Sequence, residues 1–170
     1  YHSHSKITKV EKILDILNKG KDLALVSDAG TPTISDPGSV LISEIRNNSP
    51  DVNIEVIPGP SAVISALSIS GLPSSDFLFL GFLPHKKGRE TLFKEISEAD
   101  RTVVFYESPH RIIKSLESLK EHCPNKKVSI ARELTKVHEE FISSTAEELI
   151  NYFEDNTDKV RGEFVVIVSK

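Results

Sequence analysis

The sequence contains one cysteine, Cys123, and neither methionine nor tryptophan. A single thiol excludes an internal disulfide and a metal site built from clustered cysteines. No apolar run approaches the ~20 residues needed to cross a bilayer, and no basic stretch followed by an apolar one opens the chain. We therefore expect a cytoplasmic protein with no membrane span.

The chain also lacks a large excess of either positive or negative charge. Its 21 lysines and arginines and its 25 aspartates and glutamates give a net charge of −4. This balance argues against a protein whose whole surface binds polyanions. A local basic patch remains open at His85-Lys86-Lys87-Gly88-Arg89, although such a run is also typical of ordinary solvated surface.

Apolar residues recur at helical and strand spacings that alternate along the first part of the chain. Ile7, Val10, Leu14 and Leu17 predict a first helix that stops at Gly20. Strands are predicted at 22–27 and 53–57, and further helices are predicted near 40–45 and from Ser61. Alternation of this kind predicts a largely parallel sheet with helices on its faces.

After residues 71–73 the pattern restarts, and we predict lobes at 1–80 and 81–170 of one α/β protein. Ser108-Pro109 resembles a cap followed by proline in the first helical turn, and Thr145 with Glu148 matches a capping box. The predicted strands lie at 77–80, 102–106, 128–131, 164–168 and, briefly, 141–142. The predicted helices lie near 89–98, 109–120 and 146–153.

The segment Ser27–Gly38 places turn formers and short hydroxyl side chains directly behind a hydrophobic strand. Small residues there leave backbone N–H groups accessible to a ligand, at the strand end where ligands usually bind in α/β sheets. An ordinary strand-to-helix turn explains the same composition. Segments 58–62, 107–111 and 132–136 also follow predicted strands, and a cleft between lobes would suit a ligand with an apolar ring, a sugar and a charged tail.

Three familiar motifs are missing. Gly59-Pro60-Ser61-Ala62-Val63 lacks the second glycine of a hydrolase nucleophile elbow, and no lysine follows Gly30 as a phosphate-binding loop requires. His2 and His4 have the alternation that a metal site uses, but no third ligand lies nearby, so we expect no metal site.

Five segments carry a recognisable combination of motifs: Ser27–Gly38, Val56–Ala62, Gly81–Pro84, Phe105–Arg111 and Arg132–Lys136. In order and spacing, over essentially all 170 residues, they resemble the tetrapyrrole methylase superfamily, and in particular its branch that methylates small-subunit ribosomal RNA.

The resemblance implies a two-lobed α/β fold, with a mostly parallel sheet followed by a mixed-sheet lobe. The family begins with a strand and a Gly-Asn-Leu loop that this sequence does not contain, and it usually continues into a helical tail. We therefore expect an incomplete portion of the enzyme, with the N-terminal lobe truncated. Family members commonly pair as homodimers, so a homodimer is expected.

The activity implied by the resemblance is S-adenosylmethionine-dependent methylation of the ribose 2′-hydroxyl of a cytidine in 16S ribosomal RNA. Cofactor contacts carried over from the superfamily pattern are Asp28, Ala29, Gly30, Thr31, Pro32, Ile34, Ser61, Ala62, Glu107 and Leu134. Candidates for RNA contact are His2, His4, Lys86, Lys87, Arg89 and Arg111. Glu133 and Lys136 are candidates for the general base.

Each of these assignments has an alternative, either a structural role for the residue or another function for the protein. Glu133 and Lys136 would equally form surface ion pairs, and Arg111 would equally be a structural ion-pair partner. A tetrapyrrole or diphthine-type methyltransferase shares the cofactor site, but its loop usually reads Gly-Gly-Asp-Pro where this chain has Ala29-Gly30-Thr31-Pro32. A noncatalytic RNA-binding module is the alternative from another class.

Overall fold

A computed structural model describes residues 7–170 and divides them into two compact units. The described residues up to Ser61 form the first unit, and Ala62–Lys170 form the second. The lobe boundary suggested by the sequence lies later, after residue 80.

The first unit is built on two helices, α1 (Ile7–Asn18) and α2 (Ser39–Asn48). Leu41 and Ile45 of α2 are buried against Val10 of α1. The Ser49 hydroxyl donates a hydrogen bond of 2.8 Å to the side-chain oxygen of Asn18, which joins the carboxyl ends of the two helices. The predicted helices are therefore confirmed.

The strand predictions at 22–27 and 53–57 are wrong. Neither segment has a hydrogen-bonded strand partner within the described part of the chain, and both run as irregular backbone. Val26 is 81% exposed and Ile57 is 82% exposed. Apolar, β-branched composition favours extended backbone, but a strand also needs a neighbour for its N–H and C=O groups.

The second unit contains a five-stranded sheet in the order β1-β2-β5-β3-β4. β1 and β2 run parallel, and the other neighbouring pairs are antiparallel, which confirms a mixed sheet. In chain order its elements are α3 (Ala62–Ser70), β1 (Phe77–Phe82), α4 (Arg89–Glu98), β2 (Thr102–Glu107), α5 (Ile112–His122), β3 (Val128–Arg132), β4 (Glu140–Ser144), α6 (Ala146–Asp155), a 3₁₀ turn (Thr157–Lys159) and β5 (Phe164–Val168).

Helices cover both faces of this sheet, so the central strands are buried on both sides. Along β2, Val103 and Phe105 join the larger core formed with α4, α5 and α6. Val104 faces the other way and packs in the core that includes α3. This arrangement explains why the central strands are nearly continuous apolar runs instead of alternating ones.

The strand register brings the carboxyl ends of β1, β2 and β3 to one edge of the sheet. Phe164, the first residue of β5, pairs with Glu107 at the end of β2 and with Arg132 at the end of β3. Since β5 is antiparallel to both neighbours, β2 and β3 point the same way, and β1 is parallel to β2. We call this side of the sheet the carboxyl edge.

Two predicted helix starts have different outcomes. Thr145 and Glu148 form the expected capping box at α6. α5, however, begins at Ile112 instead of Pro109, because residues 108–111 first close a turn in which the Arg111 N–H donates to the Ser108 carbonyl at 3.0 Å.

None of the helices within residues 7–170 combines the length and the apolar character that a membrane span requires. No group of three or more potential metal-ligating side chains occurs in the same range.

The carboxylate of Glu140, at the start of β4, contacts positive and hydrogen-bonding groups from three elements. Lys159 Nζ lies 2.6 Å from Oε1, Arg132 Nε lies 3.3 Å from Oε2, and the Tyr152 hydroxyl also donates to the carboxylate. Burial alone would raise the pKa of Glu140, but the hydrogen bonds from Lys159 and Tyr152 outweigh it and lower the pKa.

A carboxyl group whose pKa is lowered by folding stabilises the protein above its ordinary pKa of 4.5 and loses that contribution as pH falls through the folded value. We expect Glu140→Gln to reduce the free energy of unfolding by about 2 kcal/mol at neutral pH. The difference from the unaltered protein should shrink below pH 4.5 in urea titrations. Glu147→Gln, at an exposed site on α6, is the control, and an equal pH-dependent loss there would contradict the assignment.

Candidate functional site

Three loops leave the carboxyl edge of the second unit. The first is Leu83–Gly88 after β1, the second is Ser108–Arg111 after β2, and the third is Glu133–Glu139 between β3 and β4. All three contain segments that the sequence singled out. Ligands of α/β sheets usually bind beyond the carboxyl ends of parallel strands, so this edge is the natural place for a site in this unit.

The fully buried carboxylate of Glu107 organises the first two loops. Its Oε1 accepts a hydrogen bond of 2.8 Å from the Ser108 N–H and lies 2.7 Å from Arg111 Nη2. Its Oε2 accepts a hydrogen bond of 2.5 Å from the Ser115 hydroxyl on α5. The Glu107 side chain is thus fully engaged inside the protein, and only its backbone remains to meet a ligand.

Two arginines extend this cluster to the loop after β1. Arg111 Nη1 donates to the Leu83 carbonyl at 2.8 Å, and Arg89 Nη1 donates to the Pro84 carbonyl at 3.3 Å. Arg89 Nη2 also donates to the Ser115 hydroxyl at 2.8 Å. Burial lowers the pKa of Arg89, although the Glu107 charge opposes the shift.

These contacts give both arginines a structural role, although the sequence made them candidates for RNA contact. Arg89 is 5% exposed, which excludes direct contact with RNA in this conformation and makes it a positioning residue. Arg111 is the structural ion-pair partner that the sequence left open. No sequence signal identified Ser115, because its partner Glu107 lies eight residues earlier in another element.

The loop after β3 is strained. Glu133 and Thr135 have φ of 50° and 64°, in the left-handed region that non-glycine residues rarely adopt. Half-buried Leu134 lies between them and packs on the core that includes α3. Strain of this kind persists only where surrounding contacts hold it.

Contacts to residues 162–163 hold this loop. Glu133 Oε1 accepts hydrogen bonds from Lys136 Nζ at 2.9 Å and from the Glu163 N–H at 3.0 Å. Lys136 also pairs with the Glu163 carboxylate at 2.9 Å. A Cβ on Gly162 would lie 2.4 Å from Glu133 Oε1, and φ there is 88°, so a side chain at this position would be strained and would displace the Glu133 carboxylate.

Glu133 and Lys136 therefore form the ion pairs that were the alternative to a role as general base. The hydrogen bond from Lys136 lowers the pKa of Glu133, and hydrogen bonds to Glu163 and Glu133 raise the pKa of Lys136. Both shifts favour the charged forms, and neither favours removal of a proton from a substrate at neutral pH.

In the first unit, the loop from Ser27 to Gly38 is also strained. The Ser27 hydroxyl donates to the Ala29 carbonyl at 3.1 Å, and Thr33 and Ser35 have φ of 75° and 57°. A Cβ added at Gly30 would meet nothing within 4 Å, so the backbone there is open on one side. Thr33 is β-branched, and positive φ is rare for such a residue. The loop is therefore not an ordinary strand-to-helix turn.

The remaining predicted residues have these positions. Asp28, Ala29, Gly30 and Ile34 are exposed, and Thr31, Pro32 and Ser61 are half-buried, all in the first unit. In the second unit, Ala62 is the exposed first residue of α3, and Lys86 and Lys87 are exposed in the loop after β1. His2 and His4 lie outside the described residues.

Removing the Glu107 charge should destabilise the second unit. Glu107→Gln keeps the side-chain size but leaves Arg89 and Arg111 without a buried counter-charge, so we expect the free energy of unfolding to fall by about 3–5 kcal/mol in urea denaturation. Glu90→Gln, on the exposed start of α4, should change it by less than about 0.5 kcal/mol. Equal losses in the two variants would contradict this role for Glu107.

A substitution at Gly38 tests the conformation of the strained loop in the first unit. A Cβ there would lie 2.9 Å from Thr33 Cγ2, and φ is 141°. We expect Gly38→Ala to cost about 1–3 kcal/mol and to speed amide exchange in the first turn of α2, where Ile42 donates to the Gly38 carbonyl. Gly30→Ala, which meets no neighbour, should have the smaller effect, and the reverse order would count against this account.

Comparison with known proteins places this site in a family context. The family of tetrapyrrole (corrin/porphyrin) methylases matches residues 3–150. Among curated relatives, the Thermotoga maritima protein named ribosomal RNA small subunit methyltransferase I is 40% identical over 99% of this chain and 74% of its own length. The Hydrogenobaculum protein of the same name is 43% identical over 100% of this chain and 73% of its own length.

Solved structures share the fold at low sequence identity. The methyltransferase CobJ superposes with a TM-score of 0.68 at 21% identity, over 98% of this chain and 72% of CobJ. Uroporphyrin-III C-methyl transferase from Thermus thermophilus, complexed with S-adenyl homocysteine, has a TM-score of 0.58 at 16% identity, over 94% of this chain and 73% of that enzyme. With the family match over most of the sequence, these similarities show that the chain belongs to the tetrapyrrole methylase family.

Proposed function

We propose that this protein transfers a methyl group from S-adenosylmethionine to the 2′-hydroxyl of a cytidine in small-subunit ribosomal RNA. The observation that carries the proposal is the similarity, over nearly the whole chain, to relatives named ribosomal RNA small subunit methyltransferase I. The cytidine target and the ribose 2′-hydroxyl acceptor are inferred from the resemblance of the sequence to the family. A ribosomal substrate implies a cytoplasmic location.

We propose cofactor contacts in each unit and consider each set by itself. The proposed contacts in the first unit are Asp28 to Pro32, Ile34 and Ser61, and those in the second are Ala62, Glu107 and Leu134. The open backbone at Gly30 fits a ligand that approaches main-chain groups closely. S-adenosylmethionine supplies an electrophilic methyl group on a positive sulfur, and the exposed carboxylate of Asp28 is suited to favour that charge.

In the second unit, the protein's contribution is positioning. The Glu107 cluster holds the backbone after β2, and the ion pairs of Glu133 and Lys136 hold Leu134 between two strained residues. Because Lys136 pairs with both Glu133 and Glu163, and these contacts favour the charged forms, we assign the pair to loop geometry instead of proton transfer. Because the methyl donor is already activated, the protein contributes chiefly by aligning the methyl group with the acceptor hydroxyl.

RNA contact is proposed for Lys86 and Lys87, exposed in the loop after β1. Their ammonium groups suit phosphate oxygens, which position RNA without reading its sequence. A homodimer stays a prediction, and sedimentation of the purified protein checks it.

The central experiment measures transfer of a labelled methyl group from S-adenosylmethionine to small ribosomal subunits that lack the modification. We expect label in the RNA, at a cytidine ribose. Label on a free tetrapyrrole with none on RNA would favour the other branch of the family. Absence of cofactor binding in calorimetry would favour a noncatalytic RNA-binding module.

Asp28→Asn tests the cofactor assignment within the same experiments. Loss of one charge facing a positive sulfur should raise the Kd for S-adenosylmethionine about tenfold in calorimetry, with the fold intact by circular dichroism. Asp22→Asn removes an exposed carboxylate at the start of the preceding segment and is the matched control. If both variants bind the cofactor like the unaltered protein, Asp28 has no role in the site.

A further inference from the structure

Phe82, the last residue of β1, presents an aromatic ring at the carboxyl edge. It is 56% exposed, although large aromatic side chains are usually buried. Its ring centroid lies 5.3 Å from that of Tyr106 on β2, with the planes tilted by 53°. Tyr106 in turn meets Phe79 edge-on at 5.1 Å. Phe82 is therefore the exposed member of a row of three aromatic rings.

The backbone around Phe82 is held in place on both sides. Gly81 has φ of 62°, and the pairing of β1 with β2 shifts register between Phe79 and Phe82. Such irregularities re-aim a side chain at the end of a strand. Immediately after Phe82, Leu83 is 2% exposed and anchored in the larger core. The carbonyls of Leu83 and Pro84 accept hydrogen bonds from Arg111 and Arg89, so the ring sits on a fixed segment.

The chain that follows this ring is basic. His85, Lys86 and Lys87 are exposed, and no ion pair joins either lysine to a carboxylate within residues 7–170. Glu90, the next acidic residue along the chain, contacts His122 at 3.2 Å. Lys86 is four residues from Phe82, so their Cα atoms are at most roughly 14 Å apart. An exposed ring beside unpaired cations is the combination that binds single-stranded nucleic acid.

We propose that Phe82, backed by Tyr106, is a stacking platform for an unpaired base of the RNA substrate, with Lys86 and Lys87 on the adjoining phosphates. The proposal rests on the ribosomal RNA function and deepens it by naming where the RNA is held. Base stacking on aromatic rings is tolerant of sequence, because every base has a π-face.

Charge favours RNA over the cofactor as the occupant. S-adenosylmethionine has a positive sulfonium and a positive amine against one carboxylate, so neighbouring lysines repel it. RNA phosphates are attracted by the same lysines. The platform is also pre-organised, and a fixed ring loses little conformational entropy when a base stacks on it.

The absence of tryptophan from the chain provides a direct test. Phe82→Trp places a single indole on the platform, and Leu78→Trp places one at another exposed position of the same strand, 42% exposed in the unaltered protein. Titration with a single-stranded cytidine-rich RNA should quench the fluorescence of Phe82→Trp at least several-fold more than that of Leu78→Trp. Equal responses of the two indoles would overturn the platform.

Activity provides the second test, with Phe82→Ala and Leu78→Ala. We expect Phe82→Ala to lower kcat/KM for undermodified small subunits by about 5- to 100-fold. The Kd for S-adenosylmethionine in calorimetry should stay within about twofold. Leu78→Ala should match the unaltered protein in both assays, and Phe82→Tyr should restore kcat/KM. A weakened cofactor Kd in Phe82→Ala, or an unchanged kcat/KM, would overturn the proposal.

The two levels of inference fail separately. If the unaltered protein transfers no methyl group to ribosomal RNA, the proposed function is wrong, and the fluorescence titration still decides whether the ring binds RNA. If the unaltered protein methylates RNA and Phe82→Ala does so equally well, only the platform is wrong.

Discussion

The buried carboxylate of Glu107 is the interaction on which the carboxyl edge depends. Through Arg111 and Arg89 it reaches the backbone after β1, and through Ser115 it reaches α5. The cluster is not fully satisfied, because the buried Nε of Arg89 has no hydrogen-bond partner among the described residues. A buried ion cluster of this kind contributes little net stability compared with an apolar core, but it fixes the geometry of the backbone it bonds. Here that geometry shapes two loops of the candidate site.

The third loop is fixed by different physics. Two residues at positive φ flank Leu134, and the strain is held by ion pairs to Glu163 and by the space that Gly162 leaves for Glu133. Polar side chains at the carboxyl edge therefore hold backbone, while Phe82, Lys86 and Lys87 nearby are exposed to solvent. A division between internal scaffolding and outward binding groups is what a positioning enzyme requires.

Much of the second unit was predictable from periodicity and caps. The helix at 89–98 and the capping box at Thr145 follow local rules that depend on neighbours three or four residues apart. The start of α5 did not follow, because the bond from the Ser108 N–H to Glu107 and the pairing of Arg111 with the same carboxylate favour a turn before the helix. Arg89 looked like surface charge within a basic run, and its burial depends on Ser115 and Glu107, far away in sequence.

The sequence by itself determined the helices, the apolar strands of the mixed sheet, and the family, because composition, spacing and motif order are written along the chain. Tertiary structure decided which extended segments are strands, since 22–27 and 53–57 have the composition but lack hydrogen-bonded neighbours among the described residues. It also decided which charged groups are scaffolding and which face solvent. Lys86 and Arg89 are three residues apart, yet one is exposed and the other buried. Burial is set by contacts between distant segments, and no local pattern encodes them.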